Sequence, residues 1–257
     1  MPGAVLVVPC YNEERRLQPE RFFAFAPSGL AIRYLFVDDG SKDGTRGVLE
    51  ALAARLPHAE VLALPKNAGK AEAVRQGMLA GARQAADDAS GESYVGFWDA
   101  DLATPLEELP RFVEVLTRRP QIDVVLGTRA KLLGREIERK AFRHYSGRVF
   151  ATAVSEVLRL PVYDTQCGAK LFRPAVVPEA FATPFVSRWI FDVEVLARLG
   201  RRYAAAGEEL ADRLYELPLR RWRDVDGSKL QTGDALRAAR ELATIGWRYR
   251  DVTRRRR

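Results

Sequence analysis

The strongest constraint on the fold is a regular alternation of short apolar runs with helical segments over the first half of the chain. Five runs have the length and composition of buried strands, and turn-forming or polar residues end each one. They are residues 4–8, 32–37, 60–64, 94–98 and 123–127. Helices are predicted at Thr45–Arg55 and at residues 71–86 and 106–117. Because strands that alternate with helices pair in parallel, we expect an α/β fold with a mainly parallel sheet flanked by helices.

The second half of the chain is less regular. Helices are predicted over residues 138–160, 191–199 and 233–250. Residues 164–172 have the pattern of a loop that leads into a strand, and residues 214–220 that of a further strand.

Charge and cysteine content narrow the class of protein. The 41 Lys and Arg residues exceed the 34 Asp and Glu residues, which gives a net charge of +7 and indicates a partner that carries negative charge. The two cysteines, Cys10 and Cys167, form no disulfide framework and no zinc cluster, so a reduced, cytoplasmic setting is expected. No signal peptide and no transmembrane span are predicted, because the apolar runs are too short.

Polar clusters follow the predicted strands. Ligands of open α/β sheets bind at the carboxyl ends of strands, so these clusters are the first candidates for a site. Asp99-Ala100-Asp101 follows the fourth strand, where two close carboxylates repel each other unless a divalent cation binds them. A turn or helix cap is an equally good interpretation of these three residues.

Other clusters carry weaker signals. The segment 38–41 either contacts a ribose or a base or forms a simple turn. Residues 66–70 contain two lysines and a glycine before a predicted helix, a combination that can bind phosphate. Five basic residues have the charge to neutralise a departing diphosphate, although basic surface residues are common in this chain: Arg129, Arg220, Arg221, Arg223 and Lys229. The motifs of dinucleotide-binding dehydrogenases and of serine hydrolases are absent.

Taken in order, these segments resemble the inverting glycosyltransferases of family 2, which have the Rossmann-like GT-A fold of nucleotide-diphospho-sugar transferases. The first half carries VVPCYNEE (7–14), FVDDGSKDGT (36–45), KNAGK (66–70), DAD (99–101) and GTR (127–129). The second half carries DTQCGAKLF (164–172), RWIFDVE (188–194) and DGSKL (226–230), which resemble the dolichyl-phosphate β-glucosyltransferases and, more distantly, the polyprenyl-phosphate mannosyltransferases. The resemblance implies one domain over residues 1–232, with a nucleotide-sugar half (1–130) and an acceptor half (131–232), followed by a helix and basic tail (233–257).

The resemblance also implies roles for individual residues. The nucleoside would be held by Pro9, Tyr11, Glu13, Val37 and Asp39. Asp99, Ala100 and Asp101 would meet the ribose, the diphosphate and a Mg²⁺ or Mn²⁺ ion, with Asp99 and Asp101 as metal ligands. The diphosphate or the acceptor would be contacted by Lys70, Arg129, Gln166, Lys170, Arg223 and Lys229. Some mannosyl-transferring relatives have a Gln metal ligand at the position of Ala103 here.

The implied reaction moves a sugar, glucose from UDP-glucose in the first instance, to a polyprenyl or dolichyl phosphate with inversion at C1. Asp99, Asp101, Arg129 and Asp192 are the catalytic candidates; Asp192 and Glu194 either shape the acceptor site or simply begin a helix. The alternatives are mannosyl transfer from GDP-mannose and a family 2 transferase with a non-lipid acceptor. A nucleotidyltransferase and a basic nucleic-acid-binding module are more remote, and no nucleic-acid partner is expected.

The second half also contains a candidate for membrane contact. Over residues 139–149, Ala141, Phe142, Tyr145 and Val149 share one face of a predicted helix, and cationic residues share the other. Such a helix either lies on an anionic membrane surface or packs on the sheet. A peripheral location on the cytoplasmic face of the membrane is therefore expected.

Overall fold

The computed structural model of the protein describes residues 1–88, 92–138, 141–225 and 234–253. The strands are β1 (Gly3–Cys10), β2 (Ala31–Asp38), β3 (Ala59–Ala63), β4 (Ser93–Trp98), β5 (Val124–Thr128), β6 (Glu136–Glu138), β7 (Ala169–Phe172), β8 (Leu214–Pro218) and β9 (Arg221–Arg223). The α-helices are α1 (Pro19–Ala24), α2 (Thr45–Arg55), α3 (Lys70–Ala86), α4 (Leu109–Arg118), α5 (Ala141–Leu158), α6 (Val177–Phe181), α7 (Phe191–Ala205), α8 (Asp234–Arg248) and α9 (Arg250–Thr253).

Seven strands form one mixed sheet in the order β3-β2-β1-β4-β7-β5-β8. All neighbouring pairs are parallel except those of β7, which runs antiparallel to both β4 and β5. The carboxyl ends of β1, β2, β4, β5 and β8 therefore lie at the same edge of the sheet. The short strands β6 and β9 pair in a separate parallel ribbon. The expected α/β architecture with a mainly parallel sheet is confirmed.

Both faces of the sheet are covered, which explains the continuous apolar runs of the central strands. In β1, Val5 and Val7 belong to one hydrophobic cluster together with residues of α3 and α7. Leu6 and Val8 point to the other face and join a second cluster that includes residues of α2 and α4. Because successive side chains of a strand alternate between faces, one apolar run fills both cores.

Several predicted boundaries are wrong. Helix α7 runs to Ala205, beyond the expected residues 191–199, and β1 runs to Cys10, beyond the expected residues 4–8. The helix expected over residues 106–117 begins with a 3-10 turn at Leu106–Glu108, and α4 starts only at Leu109, with Pro110 in its first turn, where the missing N–H costs nothing. The helix expected over residues 138–160 is α5 and is shorter, because Glu138 ends the strand β6 and Arg159 has a φ of 50°. Helix α1, helix α6 and the β6–β9 ribbon had no counterpart in the sequence prediction.

Candidate active site

The acidic cluster after β4 lies at the shared carboxyl edge of the parallel strands. Lys70, the first residue of α3, places its ammonium 2.5 Å from Oδ1 of Asp99. Asp101 accepts a hydrogen bond from the backbone N–H of Ala103 at 3.0 Å, and its other oxygen lies 4.0 Å from Arg16. The structure thus brings Asp99, Asp101 and Lys70 together, as the sequence motifs predicted, and adds Arg16, which no motif singled out.

The electrostatics of this cluster favour a bound cation. Burial raises the pKa of Asp101, and the neighbouring carboxylate of Asp99 raises that pKa further. Burial alone would lower the pKa of Lys70, but Asp99, Asp192 and Asp101 outweigh it and raise the pKa. Two carboxylates that repel each other, and that attract the nearest ammonium, are a suitable pair of ligands for Mg²⁺ or Mn²⁺.

A complete protein cage for a metal is not present in the described parts of the chain, where no group of three or more His, Cys, Asp or Glu side chains is placed to hold one ion. This fits an ion that takes one or two carboxylates and completes its shell with phosphate oxygens and water, as Mg²⁺ does at nucleotide sites. Asp99 and Asp101 are the residues that would hold it.

Because Gly168 has no side chain, the carboxylate of Asp99 can lie directly against it. The backbone N–H of Asp99 donates to the carbonyl of Gly168 at 2.9 Å, so the loop before β7 lies directly against the end of β4. A Cβ atom at position 168 would overlap the carboxylate group of Asp99. Any larger residue there must push Asp99 away from its present position.

We expect Gly168→Ala to lower kcat/KM by about a hundredfold, because a displaced Asp99 loses its alignment with the reacting groups. Circular dichroism and steady-state kinetics with a radiolabelled donor would measure the fold and the activity. Gly47→Ala is the matched control, since a Cβ atom there meets no other atom within 4 Å. Full activity of Gly168→Ala would contradict the placement of Asp99.

Asp39 holds the loop that leads into α3. Its side chain is 2% exposed, and it accepts hydrogen bonds from the backbone N–H groups of Ala68 at 2.7 Å and Gly69 at 2.9 Å and from the Asn67 amide at 2.8 Å. Burial raises the pKa of Asp39, and the two backbone N–H groups oppose this rise. Asp38 likewise accepts a hydrogen bond from the N–H of Ser41 at 3.0 Å. Both carboxylates thus hold loops in place, and the expected contact of Asp39 with the nucleoside stays a prediction.

The other residues predicted to hold the nucleoside lie at the same edge. Pro9 and Tyr11 are half-buried at the end of β1. The backbone N–H of Glu13 donates to the Thr45 hydroxyl at 2.7 Å, which fixes this loop against α2. Val37 is different, because its side chain is fully buried in the first cluster and touches no accessible surface. The burial leaves its side chain no exposed surface, and the expected contact of Val37 with the nucleoside stays a prediction.

Lys170 and Asp192 form a buried ion pair behind the acidic cluster. Lys170 is 1% exposed in β7, and its ammonium lies 2.6 Å from Asp192 Oδ1 and 2.6 Å from the carbonyl of Cys167. Burial raises the pKa of Asp192, and Lys170 and Lys70 oppose this rise. The ammonium of Lys170 thus supports Asp192, and the expected contact of Lys170 with the diphosphate or the acceptor stays a prediction.

Glu194 has a structural environment. It is fully buried and accepts hydrogen bonds from the Tyr249 hydroxyl at 2.9 Å, the Arg198 guanidinium at 2.9 Å and the backbone N–H of Val186 at 2.8 Å. Of the two acidic residues proposed to shape the acceptor site, Glu194 therefore joins α7 to the end of the chain, while Asp192 faces the cluster of Lys70 and Asp99.

Arg129 lies just past β5 and is held by Asp164. Two hydrogen bonds of 2.7 Å join its guanidinium to the carboxylate of Asp164, and its backbone N–H donates to the same group at 3.1 Å. A cavity of about 70 Å³ adjoins this pair and is also lined by Arg148, Thr165 and Gln166. The buried atoms Thr165 Oγ1 and Gln166 Nε2 have no hydrogen-bond partner among the residues that the structure describes.

The remaining basic candidates divide between two regions. Arg223 is exposed in β9 and pairs with Glu138 at 2.8 Å, while its backbone N–H donates to the carbonyl of Ala103 at 3.2 Å. This contact brings β9 beside the loop that follows Asp101. Lys229 and the rest of the segment 226–230 lie outside the described residues.

The predicted membrane helix also falls partly outside what the structure describes, namely residues 139–140 and the side chains of residues 141–145. The rest of α5 packs inward through Ala151, Val154 and Leu158, whereas Val149 is 73% exposed. Within the described residues, no helix combines the length and the apolar character that a membrane crossing requires.

The sheet has the fold of the GT-A glycosyltransferases, and the acidic cluster lies at its carboxyl edge. The chain belongs to glycosyl transferase family 2, whose family model matches residues 5–181. Structures of glucosyl-3-phosphoglycerate synthase from Mycobacterium tuberculosis share the fold at 18% identity. The complex with Mn²⁺ and UDP-glucose has a TM-score of 0.66 over 96% of this chain and 79% of that one.

Among curated proteins, the chain is similar to dolichyl-phosphate beta-glucosyltransferases. One from Trichomonas vaginalis is 31% identical and aligns with 95% of this chain and 71% of its own length. The Drosophila melanogaster protein is 34% identical, with 95% and 74% covered, and the Homo sapiens protein is 30% identical, with 95% and 75% covered. The resemblance seen in the sequence motifs is confirmed at the level of the family.

Proposed function

We propose that this glycosyltransferase moves glucose from UDP-glucose to dolichyl phosphate or another polyprenyl phosphate, with inversion at C1, at the cytoplasmic surface of a membrane. The acceptor class is supported by relatives named dolichyl-phosphate beta-glucosyltransferases that align with 95% of the chain. The observation that carries the proposal is the pair Asp99 and Asp101 beside Lys70, at the edge of the sheet where nucleotide ligands of α/β folds bind.

In the proposed reaction, a phosphate oxygen of the acceptor forms a bond to C1 of the glucose while the bond from C1 to the UDP oxygen breaks. The electron pair of that bond leaves with UDP, so negative charge builds up on the diphosphate. A Mg²⁺ or Mn²⁺ ion bound by Asp99 and Asp101 would supply Lewis-acid stabilisation of this leaving group. The ammonium of Lys70 adds a positive charge at the same place.

The acceptor needs little activation by the protein. A phosphate monoester is already anionic near neutral pH, so a strong general base is less necessary than for a hydroxyl acceptor. Asp192 is proposed to shape the acceptor side of the site, held in place by Lys170. Pro9, Tyr11, Glu13 and the backbone of β2 are proposed to hold the nucleoside, and Ala100, which is buried, to set the spacing of the two carboxylates.

Arg129 is proposed to bind the acceptor phosphate. Its guanidinium has a fixed direction because Asp164 holds it through two hydrogen bonds. Thr165 and Gln166, which also line the adjoining cavity, each have a buried polar atom without a partner in the described parts of the chain. Arg223 lies in a strand that contacts the loop after Asp101. Its guanidinium is proposed to bind the diphosphate after its ion pair with Glu138 breaks.

The proposal is tested by incubating the protein with radiolabelled UDP-glucose, MnCl₂ or MgCl₂ and dolichyl phosphate, and by measuring label in the organic phase. GDP-mannose in place of UDP-glucose tests the mannosyl alternative, and 3-phosphoglycerate in place of the lipid tests a non-lipid acceptor. Removal of the metal with EDTA should abolish transfer, and added Mn²⁺ should restore it. Label that enters only the water-soluble acceptor would overturn the lipid assignment.

We expect Arg129→Gln to raise KM for the polyprenyl phosphate by about tenfold to a hundredfold, because a hydrogen bond between charged groups contributes about 1.5–3 kcal/mol. KM for UDP-glucose should change little. The matched control is Arg118→Gln, an exposed arginine of α4. An equal rise of both KM values would place Arg129 at the donor instead.

A further inference from the structure

The loop between β5 and β6 presents two leucines to solvent. Leu133 is 105% exposed and Leu132 is 51% exposed, and no large apolar side chain in the described residues is more exposed than Leu133. The adjoining residues Lys131 and Gly134 are exposed as well. We refer to residues 131–135 as the leucine tip. An adjacent pair of exposed leucines has a cost in water that a partner surface would remove.

The leucine tip is anchored at both ends. Ala130, just before it, is 8% exposed, and Glu136, just after it, donates its backbone N–H to the carbonyl of Arg220 at 2.8 Å. Inside the tip, Arg135 donates its N–H to the carbonyl of Leu132 at 3.2 Å, and Gly134 has a φ of 75°, which completes a tight turn. The exposed leucines therefore project from a defined turn.

The position of the tip is set by the sheet. β5 runs in the same direction as β4, since both are antiparallel to β7. Its carboxyl end lies at the same edge as Asp99 and Asp101, and the tip follows that end directly. Arg129, the residue proposed to bind the acceptor phosphate, stands two positions before Lys131. A lipid whose phosphate reaches Arg129 thus approaches the protein on the side where the tip projects.

The charges around the leucine tip favour a negatively charged partner surface. Lys131 and Arg135 flank the two leucines, with Lys131 exposed and Arg135 half-buried. The nearest acidic residues in the sequence are Glu136 and Glu138, of which Glu138 is paired with Arg223. Apolar side chains between cations are the pattern of segments that enter a bilayer at the level of anionic headgroups.

We infer that the leucine tip inserts into an anionic lipid bilayer and thereby brings the active-site edge to the membrane that holds the acceptor. This rests on the proposed function, because the polyprenyl phosphate explains why that edge must approach a membrane. Leu132 and Leu133 enter the acyl region, while Lys131 and Arg135 stay among the headgroups. The membrane surface is thus assigned to this tip.

The test uses the double variant Leu132→Ser/Leu133→Ser and vesicles of phosphatidylcholine and phosphatidylglycerol in equal amounts. We expect the partition coefficient in a sedimentation assay to fall by about tenfold or more, because each buried leucine contributes several-fold or more. Lys131→Gln should weaken binding by about fivefold. Leu236→Ser, which removes a 71% exposed leucine from α8, is the matched control and should bind as the wild type does. Thermal unfolding confirms that each variant is folded.

Kinetics separate this inference from the proposed function. With a short-chain polyprenyl phosphate in solution, the double variant should keep the wild-type kcat/KM, while with a long-chain acceptor in vesicles it should lose about tenfold. Unchanged vesicle binding of the double variant, or an equal loss for Leu236→Ser, would overturn the inference. The inference would also be overturned if the wild type were a dimer and the double variant a monomer that binds vesicles as well as the wild type does. If vesicle binding depends on the tip but no sugar is transferred to any polyprenyl phosphate, only the proposed function is contradicted.

Discussion

Replacement of Asp101 by Asn should lower kcat by about a thousandfold or more, because a metal ion contributes several kcal/mol of stabilisation to a departing charged group. The fold should not suffer. The Asn side chain keeps the oxygen that accepts the N–H of Ala103, and the substitution removes one of two carboxylates that repel each other. In the absence of metal, the free energy of unfolding of Asp101→Asn should therefore equal or slightly exceed that of the wild type.

Three measurements check this expectation. Steady-state transfer from UDP-glucose gives kcat, urea unfolding gives stability, and calorimetric titration with Mn²⁺ and UDP gives the affinity for metal with nucleotide, which should fall together with kcat. Asp212→Asn, at an exposed aspartate before β8, is the control and should change none of them. Near-normal turnover of Asp101→Asn, with undiminished metal affinity, would remove Asp101 from its proposed role.

The strands and helices of the first half were predictable because the parallel strands are buried on both faces. The sequences of such strands are continuous apolar runs. The bounds of the helix Thr45–Arg55 were predicted without error. The start of α4 was missed although Pro110 marks it, because the apolar period continues across the 3-10 turn. The bounds of β7 within residues 164–172 were not predicted, since the strand has four residues and one is a lysine, which is rare in a central strand.

The site was predictable where a motif fixes side chains to the end of one strand, as in Asp99 and Asp101. Pairings between distant segments were not. The Arg129–Asp164 pair spans 35 positions. Lys170 and Asp192 meet because β7, which pairs with β4 in the sheet, lies against α7 at this point. Resemblance assigned Val37 and Lys170 to the ligand by position, but it does not tell whether a side chain or only the backbone is reachable. Both side chains are buried in the structure, and their two contacts with the ligand stay predictions.

The buried pair of Lys170 and Asp192 leads to the second large effect. Lys170→Met removes the ammonium 2.6 Å from Asp192 and leaves a carboxylate inside the protein without its partner. Loss of one member of a buried ion pair costs about 3–5 kcal/mol, whereas replacement of both members by neutral groups costs much less. We therefore expect Lys170→Met to lower the free energy of unfolding by about 3–5 kcal/mol and the double variant Lys170→Met/Asp192→Asn to recover most of that loss.

Urea unfolding of the wild type, both single variants and the double variant gives the coupling free energy directly. Lys66→Met, at an exposed lysine of the loop before α3, is the control and should stay within about 0.5 kcal/mol of the wild type. The double variant should fold, but its rate of sugar transfer should remain low. The asparagine at position 192 has no charge, and the ammonium that positions this side chain is missing. If Lys170→Met unfolds like the wild type, or if the two substitutions simply add, the pair does not stabilise the acceptor side of the site and Lys170 needs another role.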